Sequence, residues 1–105
     1  MALIHTLMRL KEDGVVTDFD MIGRQKAQAS LINGKSIVVF MADDYIVGAT
    51  AIKESVASMP RPDYIVYNNW NKIVDGADLE ARKLKIPFVS YRRFRHILDE
   101  LLKSV

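Results

Sequence analysis

Carboxylate side chains occur in pairs at two places where they could hold a cation. Asp18 and Asp20 stand two positions apart in an alternating segment, which predicts a strand with both carboxylates on one face. Asp43 and Asp44 follow an almost continuously apolar segment, Ser36 to Ala42, which predicts a central strand. The end of such a strand is the usual place for a ligand crevice in an open α/β sheet. Two structural explanations stay open: a charged edge strand that resists aggregation, and an acidic helix N-cap.

Basic residues are concentrated in the C-terminal third of the chain. Positions 82 to 95 contain no acidic residue and six basic ones, namely Arg82, Lys83, Lys85, Arg92, Arg93 and Arg95. The last three open a predicted helix, where the helix dipole disfavours positive charge and a bound phosphate would compensate for it. The alternative is an ordinary solvated helix face that is neutralised by acids such as Asp99 and Glu100.

A polar segment with two aromatic residues, Tyr67 to Lys72, follows another predicted strand. Its amides could hydrogen-bond to bases, Trp70 could stack on a base, and Lys72 could contact a phosphate. The alternative is a turn rich in asparagine with a half-buried Trp. Together with the basic segment, this pattern predicts a nucleic-acid-binding surface that contains Trp70, Lys72, Lys83, Lys85, Arg92, Arg93 and Arg95.

Composition excludes several classes of protein. The chain has 105 residues, 50% of them hydrophobic and 27% charged, with no Cys, two His and a formal net charge of +2, which fits one domain over residues 1–105. Without Cys, a disulfide scaffold and a thiolate metal site are excluded, so a metal would be held by oxygen and Mg²⁺ or Mn²⁺ is the first candidate. No apolar run is long enough to span a bilayer, and the N-terminus lacks the pattern of a signal peptide. We therefore expect a cytoplasmic protein without a membrane partner.

Hydrophobic periodicity predicts a helix, three strands, and then alternating helices and strands. The predicted helices are Ala2–Asp13, Ile46–Ser58, Ala77–Lys85 and Tyr91–Lys103, and the predicted strands are Val15–Ile22, Ala27–Ile32, Lys35–Ala42, Asp63–Tyr67 and Pro87–Ser90. Asn33-Gly34 predicts a hairpin with a type I′ turn, Gly14 a helix C-cap and Ser90 a helix N-cap. Strand–helix–strand units require parallel pairing. The prediction is a single three-layer α/β domain whose mixed sheet, an antiparallel meander followed by a parallel strand–helix–strand unit, has helices on both faces.

This order of elements resembles the core of the restriction-endonuclease-like (PD-(D/E)xK) nuclease superfamily. The resemblance depends on the acidic meander before Asn33-Gly34, and on the strand Asp63–Tyr67 followed by a helix and a strand that begins at Ile86-Pro87. It implies a restriction-endonuclease-like fold, a homodimer, and metal-assisted hydrolysis of phosphodiesters with Mg²⁺ or Mn²⁺.

The resemblance also implies roles for particular residues. Glu12, Asp20 and Asp43 would hold the metal, and Asp20, Asp43 and Lys53 would be catalytic. The chain departs from the family pattern at Tyr45, which stands where a lysine is expected two residues after the central acid. Unless Lys53 or another lysine substitutes, the resemblance implies an inactive relative.

The sequence therefore supports two functional hypotheses. The first is a nucleic-acid-associated protein of nuclease-like fold, either a metal-dependent nuclease or an inactive relative. The second is a non-enzymatic, Rossmann-like or BRCT-like interaction module whose basic helix contacts an acidic protein or a sister subunit. No P-loop, GxGxxG, GxSxG or HExxH motif supports nucleotide-dependent transfer, dinucleotide oxidation or serine hydrolysis.

Overall fold

Helices and strands alternate along the chain in the computed structural model, which describes residues 2–42, 46–68 and 71–103. The helices are α1 (Leu3–Glu12), α2 (Ala49–Ser55), α3 (Asp75–Leu84) and α4 (Tyr91–Lys103). The strands are β1 (Val16–Met21), β2 (Lys26–Leu31), β3 (Ser36–Met41), β4 (Ile46–Val47), β5 (Tyr64–Tyr67), β6 (Lys72–Ile73) and β7 (Phe88–Ser90). The predicted α/β class is confirmed.

A five-stranded mixed sheet forms the centre of the fold, in the order β1-β2-β3-β5-β7. The pairs β1–β2 and β2–β3 are antiparallel, whereas β3–β5 and β5–β7 are parallel. Strands β1, β3, β5 and β7 therefore run in the same direction. Their last residues lie at one end of the sheet, called the carboxyl end below, and their first residues lie at the amino end.

Each face of the sheet is covered by two helices. Alternation along β3 directs Val39 into a core with α1 and α4, and its neighbour Phe40 into a core with α2 and α3. The first core contains Leu7 and Phe94, both at least 99% buried, and the second contains Ile52 of α2 and Ala77 and Ala81 of α3. The expected helices on both faces are therefore present, in three layers.

The β2–β3 hairpin is present, but its turn differs from the prediction. Gly34 has a left-handed φ of 89°, whereas Asn33 does not have the positive φ that a type I′ turn requires. The Gly34 N–H donates to the Leu31 carbonyl at 2.9 Å, and the Leu31 N–H donates to the Lys35 carbonyl at 2.7 Å. These bonds close a three-residue connection that ends in a left-handed glycine. The Asn33 amide donates to the Leu101 carbonyl at 3.1 Å, which ties the hairpin to α4.

Two local features break the predicted patterns. The predicted helix over Ile46–Ser58 begins later, because extended backbone at Gly48 separates the short strand β4 from α2. The chain pairs β4 in parallel with β6, a strand that periodicity does not predict. A bulge between Val16 and Asp18 shifts the register of β1, so Val16 is buried and Thr17 is exposed.

A buried lysine ties β2 to the segment after α2. Lys26 is only 5% exposed, and its Nζ donates to the carbonyl oxygens of Ser58 at 2.7 Å and Pro60 at 3.0 Å. Burial lowers the pKa of the Lys26 ammonium below its usual value of 10.5. The bonds pin this segment against the face of the sheet that α2 and α3 cover.

Candidate functional site

A groove between α1 and α4 lies at the carboxyl end of the sheet, and we call it the α1–α4 groove. Its volume is about 290 Å³, and its lining residues are Thr6, Arg9, Asp13, Asn68, Tyr91 and Arg95. Asn68 follows the last residue of β5, and the Thr6 hydroxyl lies 3.9 Å from the sulfur of Met41 at the end of β3. Thr6 and Arg9 of α1 lie on one face of the helix with its C-cap residue Asp13, because Arg9 and Asp13 follow Thr6 by three and seven positions.

The charges in this groove are unequally paired. Arg95 Nη1 lies 3.3 Å from Asp13 Oδ2, and Arg95 Nε lies 3.9 Å from Asp99 Oδ1 one helical turn away. The Arg9 side chain forms no ion pair or hydrogen bond with the residues that the structure describes. Two guanidinium groups and one carboxylate therefore line the groove, which is net positive and suited to an anion.

Asn68 presents a buried donor without an acceptor. Its Nδ2 is buried and has no hydrogen-bond partner among the residues that the structure describes. The Asn68 backbone is satisfied, because its N–H donates to Asn71 Oδ1 at 2.6 Å and its carbonyl accepts from the Asn71 N–H at 3.0 Å. An unpartnered buried donor costs roughly 1–3 kcal/mol, and native structures contain few of them. A ligand oxygen in the groove would satisfy this one.

Helix α4 begins beside the groove with free arginines. The Arg93 N–H donates to the Ser90 hydroxyl at 3.2 Å, so the predicted N-cap is confirmed. Arg92 and Arg93 are exposed and form no ion pair with described residues. Neutralisation by nearby acids, the alternative that the sequence left open, therefore applies to Arg95 alone. The first turn of α4 combines two unpaired cations with the positive end of the helix dipole.

The other basic residues of the predicted surface lie at different ends of the sheet. Lys72 is exposed on β6, in the small sheet that continues beyond the carboxyl end. Lys83 and Lys85 are exposed at the end of α3, where the chain returns to the start of β7 at the amino end. Lys85 closes α3 with a left-handed φ of 58°. The structure therefore separates Lys83 and Lys85 from the arginines of α4, and Trp70 lies outside the described residues.

The predicted metal ligands are not brought together in the described part of the chain. Glu12 borders a hollow that Met8, Lys11 and Phe19 also line, on the α1 side of the sheet. Asp20 follows Phe19 along β1, opposite the exposed Gln28, and so projects from the other face.

The remaining candidates do not complete a metal site. Asp43 lies outside the described residues, and Asp18 lies 3.9 Å from the Lys11 ammonium. Within residues 2–42, 46–68 and 71–103, no group of three His, Cys, Asp or Glu side chains could hold a metal ion. Lys53 is exposed on α2, on the opposite side of the sheet from Glu12. Glu12 and Asp20 do not fit a shared Mg²⁺ or Mn²⁺.

The sequence does not predict Arg9 or Tyr91 as site residues, and it includes Asn68 only as part of the polar segment Tyr67 to Lys72. Arg9 belongs to a polar row, with Thr6 and Asp13, beside the apolar stripe of α1. In the sequence, Thr6 stands among the leucines of this helix, and only the structure shows that it is buried. Its partner α4 was not visible, because the packing of the two helices joins residues about 80 positions apart.

Comparison of the chain with models of known protein families, with curated proteins and with solved structures gives no match. In the described part of the chain, every helix is too short or too polar to cross a membrane. The functional assignment consequently depends on the groove and on the unpaired arginines beside it.

Proposed function

We propose that this protein binds nucleic acid through phosphate contacts at the carboxyl end of the sheet. Arg92 and Arg93 make the principal contacts, and Lys72 adds a further one. The observation that supports the proposal is the pair of exposed arginines in the first turn of α4, Arg92 and Arg93, which have no ion-pair partner among the described residues. Such an arrangement is unfavourable without a ligand and becomes favourable when phosphate oxygens meet the guanidinium groups and the helix N-terminus.

The arrangement of the sheet supports a nuclease-like fold for this binding protein. An N-terminal helix, an antiparallel meander and parallel strands added beyond it follow the order that the resemblance implies. The placement of Glu12 and Asp20 on different faces favours binding over cleavage. The homodimer that the resemblance implies remains a prediction.

The test is the salt dependence of binding to a short DNA duplex, followed by fluorescence anisotropy. Each phosphate contact contributes a slope of about −0.9 to the plot of log K against log salt. Replacing Arg92 and Arg93 with Gln should reduce the magnitude of the slope by about 2 and weaken binding to all sequences. Replacing Lys83 and Lys85 with Gln is the matched control, since it removes the same charge at the amino end.

Three results decide whether the α4 arginines form the nucleic-acid-binding surface. A large loss in the arginine variant, with little change in the lysine variant, supports the proposed surface. Equal losses in both would indicate attraction by net charge and would contradict it. An absence of binding at about 50 mM salt, where phosphate contacts are strong, would also contradict it.

A further inference from the structure

The α1–α4 groove is a half-open concave site, distinct from the exposed basic surface beside it. Its volume of about 290 Å³ is at the lower limit for ligand pockets, which commonly span roughly 300–1,000 Å³. A cavity of this size holds a small ligand, or one end of a larger ligand, and cannot hold a duplex. The chemistry of its lining therefore indicates the group that enters it.

Hydrogen-bond donors enter the groove from three separate elements. Arg9 comes from α1, Arg95 from α4 and Asn68 from the end of β5. Within the described part of the chain, the Arg9 side chain is unpaired and Asn68 Nδ2 is buried without an acceptor. Arg95 donates from Nη1 to Asp13 at 3.3 Å, and its Nε lies 3.9 Å from Asp99, beyond hydrogen-bond distance; a guanidinium has five N–H donors, so others remain.

Donors on three elements suit a tetrahedral oxyanion with several acceptor oxygens. A planar carboxylate is instead held best by one guanidinium that binds both of its oxygens. The positive end of the α4 dipole, beside Tyr91, adds to the attraction for an anion. Asp13 lowers the net charge of the groove, yet it also fixes the position of Arg95 through their 3.3 Å contact.

We propose that the α1–α4 groove binds a phosphate monoester, with Arg9, Arg95 and Asn68 as its ligands and Asp13 as a positioning residue. This inference goes beyond the proposed function, because a monoester site requires no extended contact with nucleic acid. The same chemistry has two sources, a free phosphorylated small molecule or the phosphorylated 5′ end of a strand.

The first experiment titrates the protein with inorganic phosphate while ¹H–¹⁵N spectra are recorded. The amide signals of Asn68 and Tyr91 should move together with one saturating curve. Replacing Arg9 with Gln should weaken binding at least about tenfold, since a charge-assisted hydrogen bond is lost. Lys11→Gln is the matched control, because it removes the same charge from the same helix outside the groove and should change affinity by less than about twofold.

A second variant separates ligand binding from folding. Asn68→Leu removes the unpartnered donor, so it should weaken phosphate binding several-fold while the protein unfolds at the same or a higher denaturant concentration. A loss of binding that is accompanied by a loss of stability would show that Asn68 is a structural residue and would overturn its role as a ligand.

Further binding measurements distinguish the two sources of the phosphate monoester from each other and from other anions. If a 5′-phosphorylated oligonucleotide binds more tightly than its 5′-hydroxyl form, and Arg9→Gln abolishes that difference, the ligand is a strand end. If a mononucleotide binds and the 5′-phosphorylated oligonucleotide does not, the ligand is a small molecule. Acetate bound as tightly as phosphate, no saturation by about 20 mM phosphate, or an unaffected Arg9→Gln variant would each overturn the inference. Binding of the 5′-hydroxyl duplex to the α4 arginines tests the proposed function separately, so the two can fail independently.

Discussion

Replacement of the buried Lys26 with Met tests how the sheet is joined to the segment after α2. Lys26 Nζ donates to the carbonyl oxygens of Ser58 and Pro60 at 2.7 and 3.0 Å. Hydrogen bonds that involve a charged group contribute roughly 1.5–3 kcal/mol each. Methionine keeps most of the aliphatic chain and removes the cost of burying the charge, so we expect the free energy of unfolding to fall by about 1–3 kcal/mol at pH 7.

The pH dependence of this loss has a definite sign. Burial lowers the pKa of Lys26 in the folded protein below 10.5, so the unfolded chain binds more protons than the folded one between those two values. The stability of the natural protein therefore rises with pH in that interval relative to the Met variant, which lacks the group. The loss caused by Lys26→Met should accordingly grow as the pH approaches 10.5.

The assay is urea unfolding of both proteins at pH 7 and at several values up to pH 10. A loss of about 2 kcal/mol lowers the urea midpoint by about 1 M. Burial, and secondarily the charge of Asp63, raises the pKa of Tyr64 above 10.0, but this effect is common to both proteins and cancels in the difference. Lys53→Met, at an exposed position of α2, should change stability by less than about 0.5 kcal/mol. Unchanged stability in Lys26→Met, or a loss that shrinks as pH rises, would contradict the stabilising role of the buried Lys26 ammonium.

Four further substitutions have outcomes that the structure determines. Phe94→Ala removes a ring that is 1% exposed and lies 5.6 Å from the Tyr64 ring, so chemical denaturation should show a loss of about 3–5 kcal/mol; a loss below about 1 kcal/mol would contradict its place in the core. Lys85 has a left-handed backbone with a φ of 58°, which costs a residue with a side chain more than it costs glycine. Lys85→Gly should therefore stabilise the protein by about 1 kcal/mol, which raises the thermal midpoint by roughly 4–8 °C. An unchanged or lower midpoint would show that the conformation is not strained. In urea unfolding, Asn68→Leu should leave the stability of the protein unchanged or raise it by up to about 1 kcal/mol, because it removes a buried donor that has no acceptor among the described residues. Asn71→Ala removes the acceptor of the Asn68 N–H and should lower the stability of the protein. The opposite order of the two variants would contradict these roles.

Local chemistry explains why much of the fold was predictable from the sequence. Helix α4 has the predicted bounds, because Ser90 caps it and one stripe of its side chains is apolar. The apolar run of β3 indicated a strand that is covered on both faces, and Val39 and Phe40 enter the two different cores. In these segments the local signal and the tertiary environment agree.

The failures arise where a distant contact overrides the local pattern. Asn33 was expected to adopt a positive φ, but its amide reaches Leu101 and the glycine alone supplies the left-handed residue. Ile46 lies on a predicted helical stripe with Ala49 and Ile52, yet Ile46 and Val47 pair with Lys72 and Ile73 as a strand. Sequence periodicity does not register such pairs, because the paired residues are more than 25 positions apart.

The candidate site was predictable only in part, for the same physical reason. The cluster of arginines at the start of α4 is contiguous in sequence, so its conflict with the helix dipole was visible there. The α1–α4 groove is assembled from α1, the end of β5 and α4, and no spacing rule connects Arg9 with Asn68. The alternation of β1 is visible in the sequence, but the face on which α1 packs is not, and α1 lies on the side of Phe19, away from Asp20.

The most direct test of nucleic-acid binding at the carboxyl end is a map of the contact surface in solution. A ¹⁵N-labelled sample titrated with a short DNA duplex at low salt should show its largest amide changes from Ser90 to Arg95 and at Lys72. The amides of Lys83 and Lys85, at the amino end, should change little. Changes that centre on Lys83 and Lys85, or that spread evenly over all lysines and arginines, would contradict the proposal.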